Sequence, residues 1–525
     1  MFQTAKFTNV LKSKVLPVVT LILALLGLVF HRTFKSNWVY SGNVMPILFI
    51  AMVVVTCFIV ALTWLRLNNK SFCEKKLYVF EVIISFIIVT AYFIYTLIVV
   101  YSGVVLNSDN REIYLLNLQK TLSKGAVIAV IPFLLLFFPK LGNKAKKMVT
   151  TIILAVVILF CVNDYFSLIP HKITSKPMVV DSGNGYSIVF STNDEGAGYV
   201  TYTYNGVEYK VYDQTGGRVN AGRIHSVNVP YEHLKNNTYT VSSYRVIEEF
   251  SYGSRIGKTI TSEEYTLVVN ESEEQDWLVL SDWHNELDIV YDTIRHLGEY
   301  DSVILLGDST IGLDYEEQAI NNIVIFGGEV SQGTKPVLFA RGNHETRGAY
   351  ADQLQDALGL DSWYYTSDIG PYSFVILDSG EDKPDSHIEY GGMADYATYR
   401  AQMIDWLKSV NVNNEKVIAI SHAWEISEVE EELSDAGFVE LDRLGTRLLL
   451  SGHFHQCRFL GEADDREKEV FAQYPKLIGY LDGGKLGSGE DYIASKLRLS
   501  DTGFTISAVD MAGNILVNET FDWEK

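Results

Sequence analysis

Cysteine is scarce in this sequence, with four residues in 525. Cys57 and Cys161 lie in apolar runs, Cys73 sits in a short basic loop, and only Cys457 falls beyond residue 170. No disulfide can form within residues 171–525, so a cystine-stapled scaffold is excluded there. Basic charge is lacking over the same stretch, which holds 27 Lys+Arg against 59 Asp+Glu. Such a balance repels phosphate tracks, and nucleic acid is not an expected partner. No small-residue cleavage site follows the first apolar stretch, which argues against a removable leader. The glycines of Gly483–Gly489 lack the G-K-[ST] spacing of a phosphate loop and read as a turn.

The first 170 residues are the reverse, basic (16 Lys+Arg against 5 Asp+Glu) and overwhelmingly apolar. Two solvents are implied, and a single globular fold is ruled out. Five apolar stretches follow one another: Val15–Phe30, Val44–Leu65, Leu77–Tyr101, Gly125–Phe138 and Val149–Leu168. A bilayer core of about 30 Å needs roughly 20 helical residues, which the second, third and fifth supply. The fourth contains Pro132 and is compatible with an interfacial segment as well as a span. With five spans and the N-terminus inside, the inner segments hold 11 Lys+Arg and the outer loops 5. That bias predicts a multi-pass membrane protein with residues 171–525 on the extracytoplasmic side. Glu81 and Asp164 sit near span ends, where a carboxylate reaches the interface.

Between about Lys176 and Asn270 the texture changes to short alternating runs, among them Tyr186–Phe190, Tyr199–Tyr204, Ile224–Val229 and Tyr239–Val246. Turn-formers such as Thr215-Gly216-Gly217 separate them. Period-two alternation at this spacing predicts an all-β sandwich over 176–270. With Gly198-Tyr199-Val200, His225 through Val229, and Leu234 before Thr238-Tyr239, the stretch resembles the fibronectin-III-like module that precedes the catalytic domain of purple-acid-phosphatase-like enzymes.

From Trp277 onward strands alternate with amphipathic helical runs, which predicts α/β layering over 271–525. Five polar motifs each follow an apolar strand: Asp282-Trp283-His284, Gly307-Asp308, Gly342-Asn343-His344-Glu345, Ser421-His422 and Gly452-His453-Phe454-His455. In such sheets functional groups collect beyond the carboxyl ends of strands. Carboxylate, amide oxygen and imidazole suit a borderline divalent metal rather than a thiolate-loving one. An x-spaced pair such as Asp282/His284 or His453/His455 sends two side chains to one face of an extended segment. With Asp308, Asn343 and His422 these make seven donors, enough for two metals that share the lone Asp.

Taken in order, the five motifs resemble those of the calcineurin-like metallophosphoesterase family, D-x-H, G-D, G-N-H-E, H and G-H-x-H. The resemblance covers about Trp277–Lys525. It implies a two-sheet β-sandwich flanked by helices around a dinuclear centre of Mn²⁺, Zn²⁺ or Fe²⁺. Asp282, His284 and His455 would hold one metal, Asn343, His422 and His453 the other, and Asp308 would bridge. His344 would act outside the metal shell as general acid or transition-state stabiliser, and Glu345 is the nearest carboxylate able to orient a ligating histidine. The implied activity is hydrolysis of a phosphomonoester or phosphodiester by metal-activated water. Purple acid phosphatases carry a tyrosine three residues after the G-D aspartate. Ile311 stands there, so an iron–tyrosinate centre is not expected.

Softer features remain. The insert Ser379–Tyr396 reads either as a lid contributing Lys383, His387 or Tyr390, or as a solvated loop. Arg341 and Arg347 flank G-N-H-E and are phosphate-clamp or salt-bridge candidates. The membrane address points to lipid-linked or cell-wall phosphates as substrate and to membrane lipids as partners. The alternative reading is a membrane receptor or transport-associated protein whose metal domain binds a phosphorylated ligand without turnover.

Overall fold

The structure, a computed structural model, describes residues 170–250, 253–427, 429–486 and 491–524. The five apolar stretches of residues 1–170, with Glu81 and Asp164, lie outside the described residues, apart from Pro170.

The strands that carry the motifs are short and apolar on both faces. In chain order the sheet-forming segments are β1 (Met178–Asp181), β2 (Tyr186–Tyr204), β3 (Gln275–Leu280), β4 (Ser302–Leu305), β5 (Pro336–Phe339), β6 (Tyr372–Leu377), β7 (Lys416–Ser421), β8 (Thr446–Ser451), β9 (Ile478–Leu481) and β10 (Asp491–Leu499). In β3, Trp277 and Val279 turn to one core while Leu278 and Leu280 turn to another, all at most 1% exposed. Phe374, Ile376, Ile418, Ile420, Leu448 and Leu450 of a second sheet share the first of these cores. The opposite face of that sheet, through Val375, Leu377, Val417 and Leu449, packs on α2 (Tyr396–Ser409) and α3 (Glu431–Arg443). The outer face of the first sheet packs on α1 (Leu287–Ile294) and on the helical segment Ile320–Ser331. Two sheets face to face with helices outside explain why these strands read as unbroken apolar runs: neither face meets water.

Parallel pairing sets where the chemistry falls. Strands β3, β4 and β5 are parallel neighbours, and β6, β7, β8 and β9 form a second parallel run. Parallel order brings the carboxyl ends of β3, β4 and β5 to one rim, and those of β7 and β8 likewise. All five motifs leave from those ends.

The expected fold class is corrected in two respects. Among the described residues no helix is long and apolar enough to cross a membrane, so the transmembrane helical bundle is not part of the fold that is supported. The described C-terminal part is an α/β arrangement of two facing sheets with helices outside. Nor is 176–270 a separate fibronectin-III-like sandwich. Strand β1 pairs in parallel with β5 (Val179↔Pro336, Val180↔Val337) and antiparallel with β2, so this segment extends the first sheet. Its Ile188, Phe190, Val227 and Val241 lie in the same core as Trp277 and Phe374. Ser367 Oγ donates to Asp181 Oδ2 (2.7 Å) across the join. Alternation in sequence reveals a strand and its two faces, but not which edge it joins. The signal that was available is Met178-Val179-Val180: three consecutive apolar residues, each fully buried, which an interior strand needs and a half-solvated sandwich strand does not.

Candidate metal centre

Two glycine contacts make the rim possible. A Cβ on Gly342 would lie 2.2 Å from Asp308 Oδ1 and 2.3 Å from its amide nitrogen, and a Cβ on Gly452 would lie 2.6 Å from Asp282 Oδ2. Only a bare backbone lets the G-N-H-E and G-H-x-H turns close on the two carboxylates. The backbone is also strained here. Asp282, His284, Asn285, Asp308, His453 and His455 have φ between +40° and +70°. Each left-handed non-glycine residue costs about 1 kcal/mol or more, so their gathering on one rim marks a functional constraint.

The side chains converge. Asp308 Oδ2 lies 3.2 Å from His422 Nε2 and 3.8 Å from both His284 Nε2 and His344 Nε2. Its other oxygen accepts from the His344 amide (2.9 Å). Asp282 Oδ1 lies 3.4 Å from His455 Nε2 and 3.9 Å from His284 Nε2, while Oδ2 accepts from the His453 amide (2.8 Å). The Nε2 atoms of His284 and His455 are 3.2 Å apart, and His453 Nδ1 is 3.1 Å from Asn343 Oδ1. Ligand atoms thus fall into overlapping triads, Asp282–His284–His455 and Asp308–His422–His453, with His284–Asp308–His344 between them. All seven expected donors and His344 come to one place.

Backbone carbonyls, not carboxylates, fix three of the imidazoles. His284 Nδ1 donates to Thr310 O (3.2 Å), His422 Nδ1 to Leu306 O (2.7 Å) and His344 Nδ1 to Ile311 O (2.8 Å). In each ring Nε2 is left to face the centre. Glu345, expected to orient a histidine, instead clamps the G-D turn. It accepts from the amides of Asp308 (2.8 Å), Ser309 (2.7 Å) and Gly342 (2.8 Å), and from Ser309 Oγ (2.5 Å). Sequence spacing could not separate these roles, because the carbonyl partners carry no side-chain signature.

Electrostatics agree with a cation site. Burial alone would raise the Asp308 carboxyl, yet His422, His344 and His284 hold it below the usual carboxylate range. Burial would lower His422, but Asp308 beside it pushes the imidazole up to about 10. The same negative charge that raises this imidazole would attract a cation. Asp282 Oδ1 is buried without a hydrogen-bond partner. Asn343 Oδ1 lies 3.1 Å from His453 Nδ1 and 3.2 Å from both His422 Nε2 and Asp308 Oδ2. Reversing that amide would satisfy hydrogen bonds without a cation, its oxygen accepting from Arg347 (3.0 Å). A buried carboxylate oxygen without a hydrogen bond, beside overlapping triads of O and N donors, fits divalent metals.

The arginines have other partners. Arg341 pairs with the buried Asp378 (2.5 Å) and lies over the Trp363 ring. Arg347 makes two 2.7 Å bonds to Glu381. Both are braces rather than open phosphate clamps. Ile311 uses its carbonyl on His344 and leaves its residue 63% exposed, so no tyrosinate stands at that position. In the glycine-rich run, Gly484–Leu486 forms a short strand against β10, and the Lys485 amide donates to Asp282 O (3.1 Å). One group went unread: Asp482, buried near Asp282 with Ser495 Oγ donating to it (2.5 Å), is pushed up to about 8 by burial.

The family model described as Calcineurin-like phosphoesterase matches residues 277–457, a span that contains the seven expected donors and His344. The chain carries a calcineurin-like phosphoesterase domain there, and that family generally binds two divalent metals. No curated protein matches the chain. Among solved structures, the chain is similar to GAP50, described as the anchor in the inner membrane complex of Plasmodium, at 13% identity. That match covers 48% of this chain and 90% of that one, with a TM-score of 0.35. A metallophosphoesterase from Sphaerobacter thermophilus matches at 14% identity, over 43% of this chain and 84% of that one (TM-score 0.24). The E. coli phosphoesterase Yfce matches at 12% identity, over 47% and 100% (TM-score 0.23).

Proposed function

We propose that this chain is a two-metal hydrolase of phosphate monoesters or diesters, with Asp308 as the shared ligand. One observation carries the reading: a single oxygen, Asp308 Oδ2, lies within 3.8 Å of imidazoles that belong to two different donor triads. Asp282, His284 and His455 would hold one cation, and Asn343, His422 and His453 the other. When bound, the pair supplies Lewis acidity to the phosphoryl oxygens and acidifies a water molecule. The protein's own part is orientation. The carbonyls of Thr310 and Leu306 point His284 and His422 inward, and Glu345 fixes the turn that presents Asp308. His344, with Nδ1 committed to Ile311 O, offers Nε2 to the oxygen that leaves.

Removing divalent metals from the full-length protein with a chelator should abolish release of nitrophenol from phosphate mono- and diester models, and adding Mn²⁺, Zn²⁺ or Fe²⁺ should restore it. Turnover that survives complete metal removal would rule the reading out. Tight, metal-dependent binding of phosphate esters with no turnover would favour a binding module instead.

A membrane address, with 171–525 on the extracytoplasmic side, belongs to the same proposal. Its support is the hydropathy and Lys/Arg asymmetry of residues 1–170. Protease added outside intact cells should degrade 171–525; protection of that part would place it on the other side.

A further inference from the structure

A cavity of about 390 Å³ lies among three segments: the turn after β1, residues 361–366, and the carboxyl end of α2. That volume falls within the range of small-molecule sites. None of the seven proposed metal donors lines it, and neither does His344.

The lining selects a class of ligand. No Lys, Arg or His is among its twelve residues, and Asp361 is the only charged one. An anionic ligand would meet a carboxylate and no cation, so the cavity is ill suited to phosphate esters. Two half-buried rings, Trp406 and Tyr364, stand side by side in the wall, their centroids 5.0 Å apart at 47°. Trp406 Nε1 and Tyr364 Oη have no hydrogen-bond partner among the described residues. Asn184, Asp361, Ser362 and Asn411 add amide, carboxylate and hydroxyl groups to the same lining. A hydrocarbon would leave these groups without partners. A neutral molecule with one apolar face and several hydroxyls satisfies both kinds of wall. A sugar ring is such a molecule: its C–H face packs on an aromatic ring, and its hydroxyls both donate and accept.

The cavity is also preformed. Gly183 holds φ at +82°, where a Cβ would lie 3.0 Å from Thr366 O and 3.2 Å from Tyr365 Cβ. Its amide donates to the buried Asp181 (2.9 Å), which also accepts from Ser367 Oγ (2.7 Å). The turn is thus pinned to the strand Tyr365–Ile369. Ser182 Oγ donates to Asn184 Oδ1 (2.9 Å), and Asn184 Nδ2 donates to Asp361 Oδ2 (2.7 Å). Asp361 Oδ1 is left without a partner among the described residues. On the aromatic side, Tyr364 packs on Tyr399 at 5.7 Å, and Tyr399 Oη donates to Asp378 (2.6 Å). Groups already held in place lose little freedom when a ligand arrives.

We infer that this cavity is a non-catalytic binding site for a neutral sugar ring, which lies against Trp406 and Tyr364 while Asp361 and Asn184 hold its hydroxyls. The inference is independent of the phosphoesterase reading, because the two sites share no residue.

The full-length protein is titrated by calorimetry with the methyl glycosides of glucose, galactose, mannose and N-acetylglucosamine, and with cellobiose and chitobiose, each with and without EDTA. At least one should bind with a Kd of about 1 mM or tighter, and EDTA should not change it. Trp406→Ala should weaken that binding at least about tenfold, and Trp406→Phe, which keeps a ring, should weaken it less. Asp361→Ala should also weaken it about tenfold. Asp361 is exposed, so this variant keeps the fold, and its Tm, metal content and ester turnover should match wild type. Failure of every sugar to bind at about 10 mM overturns the inference, as does binding that both alanine variants leave unchanged. Binding that EDTA abolishes would place the sugar at the metal centre and overturn it too. Hexanol binding as tightly as the best sugar would show an apolar site instead.

Discussion

Asp308→Ala is expected to lower metal-dependent ester hydrolysis by about 10³-fold or more, with loss of bound metal. The two carboxylate oxygens do different jobs. Oδ1 is committed to the His344 amide at 2.9 Å, and Oδ2 alone faces His422, His284 and His344. Among the described residues no second carboxylate oxygen is placed to serve both donor triads, because Asp282 Oδ1 sits with His284 and His455 and its Oδ2 is taken by the His453 amide. Metal-ion stabilisation of a phosphoryl transition state is worth several kcal/mol, and each 1.36 kcal/mol is tenfold in rate. Alanine also frees the His344 amide, so Asp308→Asn is the sharper variant: it can keep the Oδ1 contact and removes only the charge. Both variants should bind less than two metals per chain by elemental analysis, with Asn closer to wild type in Tm. An Asp308→Asn protein that retains two metals and loses less than tenfold in kcat would show that the shared-ligand role belongs elsewhere.

The site was more legible in sequence than the fold around it. Each metal-ligand candidate is a short-range pattern, a polar residue set just past an apolar strand, and the parallel order that gathers them is itself a consequence of strands separated by helices. The candidate donors could therefore be named without knowing a single contact, and the structure brings them together. The roles of the supports could not. Glu345 looked like a partner for a histidine because it is adjacent in sequence, whereas in space its carboxylate meets the amides of Asp308, Ser309 and Gly342. Arg341 and Arg347 read as phosphate clamps or salt-bridge residues alike, and only Asp378 and Glu381, more than thirty residues on, decide for the second. Partnership across such separations leaves no trace in composition or period. The same limit explains β1. Its two-residue parallel pairing with β5 is a non-local contact, and alternation downstream of it described real strands while giving no hint of the sheet they extend.

His344→Ala should separate chemistry from metal binding. The geometry offers His344 two identities. Its Nε2 lies 3.8 Å from Asp308 Oδ2, and it shares a triad with Asp308 and His284, as a ligand would. It is also the acid expected from its place in G-N-H-E, and its side chain is 24% exposed where those of Asp308 and His422 are 2% and 1%. His455, a proposed donor, is more exposed still at 35%, so exposure alone does not separate acid from ligand. General acid catalysis contributes roughly 10²–10⁴-fold, and only where the leaving oxygen needs a proton. The variant should therefore lose about that factor with an alkyl phosphate and less than about tenfold with a nitrophenyl ester, whose phenolate departs unaided. Its metal content should stay at wild-type level, because the seven proposed donors are intact. Equal losses with both esters, accompanied by a missing metal, would move His344 from acid to ligand and leave the leaving oxygen to be protonated by solvent.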